Sequence, residues 1–406
     1  MDFYERGRSA AQRGDFGKAI RLLTDAGRDG RALLLLGQMA SSGRGQPVDK
    51  GRAVEYYEQA ADLGNSEAAY NLAAIYAAGG GVEADHKTAF YWYRRSAELG
   101  NVDALRMIGV MYAYGQGVEV DLVAAEKALD KAAARGQRDA PRDLGRLFIR
   151  VGSPVAAARW YLEAARRGDR DVVDEILRLA PSLKALADEG DTSARTYLGV
   201  IFMQYVDAPA ETIALLRKSA DEGDPIAQRS LGFLYHQGEL IEADPARALK
   251  LFRSAAEGGD GIAAYNLGLR YLKGEGVERD SAAAIHWLRI AANSGVVEAY
   301  PHLGNELAAV DEDAEALSWY LRGAEVGQAG CMYAAGCWYR DGIGTPVDLV
   351  ESLRWFIAML RVGNGNGIHE AQSFIRELSD EQIRLAARRA GSVSDGEVFI
   401  QQRQEN

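Results

Sequence analysis

The chain is poor in cysteine, in proline and in long apolar runs. Its two cysteines, Cys331 and Cys337, are too few for a disulfide framework, which favours a reducing compartment. No apolar stretch approaches the roughly 18 to 20 residues that would cross a bilayer. The first residues, 1–6, carry acids where a signal peptide needs positive charge. We therefore expect a cytoplasmic protein without membrane insertion.

Charge and composition exclude further classes. Lysine and arginine number 47 against 58 aspartates and glutamates, a net charge of −11, so nucleic acid is not an expected partner. Only 9 prolines stand beside 45 glycines, and 48% of the 406 residues are hydrophobic, which indicates a folded chain rather than a disordered one.

A repeat accounts for many of the glycines. A Leu-Gly pair or its equivalent recurs with steps of mostly 32 to 36 residues, and a second glycine lies nine residues before each anchor from the second unit onward. This period, with alanine, leucine and aromatic residues at helical spacing, predicts stacked pairs of helices. The anchors are Gly37, Ala73, Gly109, Gly145, Gly199, Gly232, Gly268, Gly304 and Gly336.

Each unit is predicted to contain two helices. The first, helix A, reads Ala-x-x-x-Leu-Gly-x-x-Tyr, as in residues 68–76. The second, helix B, reads Ala-x-x-Trp/Tyr-Tyr-x-x-Ala-Ala-x-x-Gly, as in residues 89–100. Their connection reads Gly-x-Gly-Val-x-x-Asp in its clean copies, such as residues 79–85. Counted from the anchor, positions −5, −1 and +3 of helix A should be core, and positions −3, −2 and +1 should lie on the opposite side.

These three blocks resemble Sel1-like repeats, relatives of tetratricopeptide repeats with a longer loop inside the repeat, over roughly residues 31–363. The resemblance implies an all-α, right-handed superhelical solenoid of about eleven antiparallel helix pairs. It also implies adaptors that assemble other proteins, without shared catalytic residues. The chain departs from the disulfide-stapled branch of the family in lacking its paired cysteines.

The repeat divides the chain into six predicted regions. A middle unit is cut to about twenty residues, and we expect Pro181 to break it. The regions are an N-terminal capping hairpin (1–30), a first repeat arm (31–170), the truncated unit as a candidate hinge (171–190), a second arm (191–363), C-terminal capping helices (364–390) and a polar tail that either hangs free or docks (391–406).

Several residues that resemble functional groups have a structural interpretation. Six aspartates that close the A-to-B connections are predicted N-caps rather than acid/base groups: Asp49, Asp85, Asp121, Asp244, Asp280 and Asp348. Five tryptophans at one helix B position are predicted packing residues, and Cys331 takes a position that is alanine in eight other units.

Common catalytic signatures are absent from the sequence. It contains no Walker loop, His-Glu-x-x-His, Gly-x-Ser-x-Gly or Cys-x-x-Cys, and the five histidines are scattered without ligand spacing. We predict no enzyme activity, no cofactor and no metal. An enzyme with unrecognised groove residues remains an alternative, as does a sensor that binds a small or peptide ligand.

Positions −3, −2 and +1, which we call the variable face, are the predicted surface that binds a protein or peptide partner. The resemblance to tetratricopeptide arrays implies that this face lines the concave groove of the superhelix. Tyrosine and arginine are enriched at binding hot spots, and asparagine can pair with a peptide backbone. A solvated helix face would show similar variety. The candidate residues on this face are Tyr70, Asn71, Arg106, Arg142, Arg146, Tyr197, Arg229, Phe233, Tyr265, Asn266 and Tyr333.

An arginine-rich stretch adds a charge argument. Residues 135–170 hold nine arginines against four acids, and Arg138, Arg142, Arg146 and Arg150 recur every four residues. Such a stripe suits an acidic or phosphorylated segment of a protein partner. Alternatively, acids three residues away, Asp139 for Arg142 and Asp143 for Arg146, neutralise part of it.

Overall fold

The computed structural model describes residues 2–405, without the side chains of residues 393, 404 and 405. These residues form 24 α-helices and no β-strand. The helices are α1 (Phe3–Gln12), α2 (Phe16–Asp25), α3 (Gly30–Ser42), α4 (Lys50–Asp62), α5 (Ser66–Ala78), α6 (His86–Glu98), α7 (Val102–Tyr114), α8 (Leu122–Ala134), α9 (Ala140–Val151), α10 (Pro154–Arg166), α11 (Val173–Asp188), α12 (Thr192–Tyr205), α13 (Pro209–Asp221), α14 (Pro225–Gln237), α15 (Pro245–Glu257), α16 (Gly261–Lys273), α17 (Ser281–Asn293), α18 (Ala299–Ala308), α19 (Asp313–Glu325), α20 (Ala329–Asp341), α21 (Leu349–Arg361), α22 (Asn366–Phe374), α23 (Asp380–Arg389) and α24 (Val393–Glu405).

Two compact units divide the chain, one up to Tyr197 and one from Leu198 onward. In the first unit, α1 to α10 pack as successive pairs, and each pair contacts the next through its second helix. In the second unit, α14 to α21 pack in the same way. The predicted all-α solenoid of helix pairs is confirmed, because each pair buries its apolar face on the next. The six region boundaries, including the candidate hinge at 171–190, stay predictions.

The predicted helix ends are confirmed. The side chain of each of the six closing aspartates accepts a hydrogen bond from a backbone N–H in the first turn of the following helix, as Asp85 does from Lys87 and Thr88. The eight predicted glycines at the ends of second helices have positive φ, for example 84° at Gly64 and 97° at Gly100. Glycine ends these helices because a side chain would strain that conformation.

Two of the three predicted core positions of helix A are buried, whereas position +3 is only half-buried in six of the nine repeats. Position −5 is fully buried in all nine units, and position −1 is at most 7% exposed. The anchor glycine lies in the middle of helix A. It is small for a packing reason, since a Cβ built on Gly37 would lie 2.6 Å from the ring of Tyr57 in α4.

The truncated unit differs from expectation. Pro181 does not break it: α11 runs without interruption from Val173 to Asp188 with Pro181 inside. A short 3₁₀ turn, Arg170–Val172, leads into α11 after the N-cap residue Asp169. The unit therefore supplies one helix where the others supply two.

Two smaller features also needed the tertiary structure. Three of the five tryptophans, Trp92, Trp160 and Trp287, are only half-buried, because the next residue along helix B takes the core position. The tail, left open between hanging free and docking, forms α24, with Phe399 and Ile400 at most 5% exposed.

Candidate functional site

The variable face is not uniformly open to solvent. Four of the predicted partner-binding residues are exposed: Arg138 of the arginine stretch, Arg146, Phe233 and Tyr333. The other predicted partner-binding residues are half-buried: Tyr70, Asn71, Arg106, Arg142, Tyr197, Arg229, Tyr265 and Asn266.

The arginines of this face pair with acids of the following helices. The Arg106 Nε in α7 donates to Asp143 Oδ2 in α9 at 2.6 Å, and its Nη1 lies 3.5 Å from Asp139. Arg142 donates to Asp169, which is only 7% exposed. In the second unit, Arg229 Nε donates to Asp260 Oδ2 at 2.9 Å.

Two further arginines of the stretch also have partners. Arg146 lies 3.7 Å from Asp143 and 3.8 Å from Glu175. An Nη2 of Arg138 donates to the carbonyl of Gly168 at 3.4 Å. The predicted neutralisation of Arg146 by Asp143 is confirmed, whereas Asp139 pairs with Arg106 instead of Arg142. Arg142 and Arg146 of the stretch thus help to join one helix pair to the next element.

The tyrosines lie beside aromatic or acidic neighbours. The Tyr70 ring meets that of Tyr93 edge-on at 5.3 Å, and Tyr265 lies 5.9 Å from His302. Burial raises the pKa of Tyr93 to about 12. The Tyr333 hydroxyl donates to Glu370 Oε1 at 2.9 Å, and this bond raises the pKa of Tyr333 to about 12. These contacts fix ring positions while leaving Tyr333 more than a third exposed.

The two asparagines differ from all of these. Asn71 in α5 and Asn266 in α16 occupy position −2, each directly after a tyrosine of the face. Both are half-buried, and neither side chain makes a hydrogen bond to another described residue. A carboxamide offers two N–H donors and a carbonyl acceptor. Each of the two compact units therefore presents an asparagine side chain with unused hydrogen-bond donors and an unused acceptor, beside an ordered tyrosine ring.

The sequence analysis did not predict the acids that pair with Arg142 and Arg229. Asp169 and Asp260 each follow the glycine that ends a second helix, and this recurring position would have pointed to them. It also missed Arg270, which is 4% exposed and stacks on Phe252 with its guanidinium 4.9 Å from the ring. The same register holds Met39, Met111 and Leu234 elsewhere, so the pattern predicts an apolar residue there.

Neither a metal site nor a membrane span is found in the part of the chain that the structure describes. There, no group of three histidines, cysteines or acids is placed to hold an ion. Nor does any described helix combine the length and apolarity needed to cross a bilayer.

Comparison with known proteins identifies the repeat. A family model described as Sel1 repeat matches residues 30–65, 66–101, 102–137, 145–169, 225–260, 261–296 and 329–364, more than half of the chain. No protein of curated function matches the chain.

Solved structures provide further comparisons. The chain is 24% identical to c5321, a protective antigen of uropathogenic Escherichia coli strains displaying an SLR fold, over 91% of this chain and 93% of that one, with a TM-score of 0.40. It is 22% identical to a Sel1 repeat protein from Oxalobacter formigenes, over 91% and 89%, again with a TM-score of 0.40.

Proposed function

Because this chain belongs to the Sel1 repeat family, we propose that it is an adaptor that binds a protein partner on the variable face, through the Tyr70–Asn71 and Tyr265–Asn266 pairs. Sel1 repeat proteins generally serve as protein-interaction scaffolds and are typically not catalytic. We further propose that the bound element of the partner is an extended peptide segment.

The observation that carries the proposal is the pair of unused carboxamides. Arginines of the same face are spent on neighbouring acids, but Asn71 and Asn266 have no hydrogen-bond partner among the described residues. An asparagine can accept from a peptide N–H and donate to a peptide carbonyl at once. Beside it, the ordered tyrosine ring supplies apolar contact area at little entropic cost.

The arginine stretch contributes less to this proposal than its sequence suggests. Arg106, Arg142 and Arg146 already face Asp143, Asp169 and Glu175. An acidic or phosphorylated partner would have to compete with those carboxylates. We place the adaptor in the cytoplasm, a choice supported by the free thiols Cys331 and Cys337.

The test compares three immobilised proteins against an extract of the native host. They are the wild type, the double variant Asn71→Ala/Asn266→Ala, and the control Asn293→Ala, which changes an exposed asparagine at the end of α17. Proteins captured by wild type and control are purified, and their affinities are measured by calorimetry. We expect the double variant to bind at least about tenfold more weakly, as loss of binding hot spots does.

Single variants then separate the two units. If Asn71→Ala and Asn266→Ala each weaken binding, the partner contacts both units, whereas an effect from one alone assigns the partner to that unit. Equal affinity of wild type and double variant for every captured partner would contradict the proposal.

A further inference from the structure

A cleft of about 760 Å³ lies in the first unit, between the end of α9, the start of α10 and the length of α11. Its apolar lining includes Ile149, Pro154, Leu179 and Leu186. Ile149 is 47% exposed, so its side chain offers apolar surface at the edge of the cleft. The volume falls within the range of about 300 to 1,000 Å³ that is usual for ligand clefts.

The cleft exists because the single helix α11 stands where other repeats have two helices, helix A and helix B. Val172 and Ile176, fully buried, fall in the register of a helix A after its N-cap, as Ala68 and Leu72 do after Asn65. Toward its other end, Leu183 is fully buried in the register that Tyr93 occupies in a helix B. The connection that would separate the two helices is missing.

That missing connection normally covers a neighbour. In five other pairs, the second glycine of the A-to-B connection packs on the first residues of the preceding second helix, as Gly81 does on Lys50 and Gly276 on Pro245. Pro154 is the first residue of α10, and α11 brings no such connection to it. The start of α10 therefore lacks this neighbour, and the half-buried Pro154 lines the cleft instead.

Polar groups in the cleft lack partners. Tyr161 is 3% exposed and lines the cleft, yet its hydroxyl makes no hydrogen bond within the described residues. The equivalent Tyr320 donates to Asn305 Oδ1 at 2.7 Å. Arg178 is exposed and has no ion pair within residues 2–405, whereas Glu175 lies 3.8 Å from Arg146. Among the described residues, a hydroxyl without a hydrogen-bond partner and an arginine without an ion pair thus border the apolar part of the lining.

We propose that this cleft binds an amphipathic α-helix of a partner protein, whose apolar side packs on Ile149, Pro154 and Leu186 and whose carboxylate pairs with Arg178. A helix fits because the lining residues of α11 recur at the spacing 178, 182 and 185, which forms one stripe along a helix. The charge of Arg178 selects an acidic side chain at the rim. This second site is independent of the tyrosine–asparagine pairs.

The test uses a set of stapled synthetic peptides of three helical turns. All carry leucine at i, i+3, i+4 and i+7, and a single glutamate is moved through the polar positions. Fluorescence anisotropy measures their binding to the full chain. We expect the best peptide to lose at least about tenfold in affinity with Arg178→Glu. Replacing its glutamate by lysine should restore binding to that variant.

Two further variants make the result specific. Ala185→Arg, at an exposed lining position, should abolish binding of the whole set by filling the cleft. Arg135→Glu makes the same charge change as Arg178→Glu at an exposed site outside the cleft and should leave binding unchanged. Circular dichroism checks that each variant keeps its helices.

Three outcomes would overturn the inference. One is that no peptide binds the wild type in a saturable way. Another is that Ala185→Arg binds the peptides as well as the wild type does. The third is that sedimentation shows a dimer that Ala185→Arg dissociates, since the occupant would then be a second copy of this chain. Each outcome leaves the result at Asn71 and Asn266 untouched, so the two proposals fail separately.

Discussion

Helices α5 and α9 occupy equivalent places in the first unit, yet their residues at position −2 have opposite roles. Asp143 in α9 is 9% exposed and lies within 4 Å of both Arg106 and Arg146. Asn71 in α5 is half-buried and bonds to no described residue. The same register therefore yields an internal ion-pair network in one pair and an unused polar group in another. The residue type decides which, because the carboxylate of Asp143 attracts Arg106 and Arg146 whereas the carboxamide of Asn71 carries no charge.

The second unit repeats the contrast. Arg229 in α14 donates to Asp260, whereas Tyr265 and Asn266 in α16 leave a carboxamide free. Arg270, also in α16, adds a third case, because its buried Nε has no hydrogen-bond partner among the described residues. Burial lowers the pKa of Arg270. Arginines at equivalent helices are thus either paired with an acid of the next repeat, as Arg229 is, or buried without an ion pair to a described residue, as Arg270 is.

The largest expected effect comes from reversing a charge inside the network. Arg142→Glu places a carboxylate beside Asp169, which is 7% exposed, so the free energy of unfolding should fall by about 3 kcal/mol. From the sequence alone, Arg142 lies opposite the core on a solvated face, where this substitution would leave the free energy of unfolding nearly unchanged. Chemical denaturation followed by circular dichroism measures the change. Arg138→Glu is the control, since Arg138 touches only a carbonyl, and equal stability of the two variants would contradict the network.

Removing the charge of Arg270, which has no ion-pair partner among the described residues, should instead raise the free energy of unfolding. Arg270→Met installs the residue that Met39 and Met111 supply at this register, and we expect a gain of roughly 1 to 3 kcal/mol. The gain arises because a buried, unpaired guanidinium no longer has to be desolvated. The same denaturation experiment measures it, with Arg279→Met, at an exposed arginine, as the control. A loss of stability would show that stacking on Phe252 outweighs the cost of burial.

Low pH should weaken the partly exposed ion pair between Arg340 and Glu370. Hydrogen bonds from Tyr333 and Arg340 lower the pKa of Glu370 in α22. A depressed pKa means that the carboxylate stabilises the fold above the unfolded value of about 4.3, and that this contribution is lost as pH falls through the folded pKa. We expect below about 1 kcal/mol, because the groups are partly exposed. Unfolding free energies at pH 7 and pH 3 should differ less in Glu370→Gln than in wild type, and identical differences would refute the linkage.

The smallest expected effect is at the asparagines. Asn71→Ala and Asn266→Ala should each change the free energy of unfolding by less than about 0.5 kcal/mol, because no internal hydrogen bond is lost. Thermal melts of the single variants measure this. A destabilisation above about 1 kcal/mol would mean that these side chains hold the repeats together, and they would cease to be binding candidates.

Local patterns in the sequence were sufficient for the repeat unit. The aspartate N-caps, the glycines with positive φ and the core positions −5 and −1 are properties of single helices and their ends. They follow from hydrogen-bond geometry and helical periodicity, so one sequence reveals them. The truncation was also visible, although its form was not: proline disfavours a helix interior, yet α11 continues through the exposed Pro181 while Ile176 and Leu183 on its other side are buried.

Contacts between successive pairs were decided only by the tertiary structure. The variable face could be located from the anchor glycines, but the acids facing Arg106 and Arg142 lie 37 and 27 residues further along the chain. Helical periodicity carries no information across that distance, because it is set by how one pair stacks on the next. The sequence therefore determined the helices, their ends and their buried sides. Stacking determined which polar residues are spent on neighbouring repeats, and it left Asn71, Asn266 and the cleft beside α11 available.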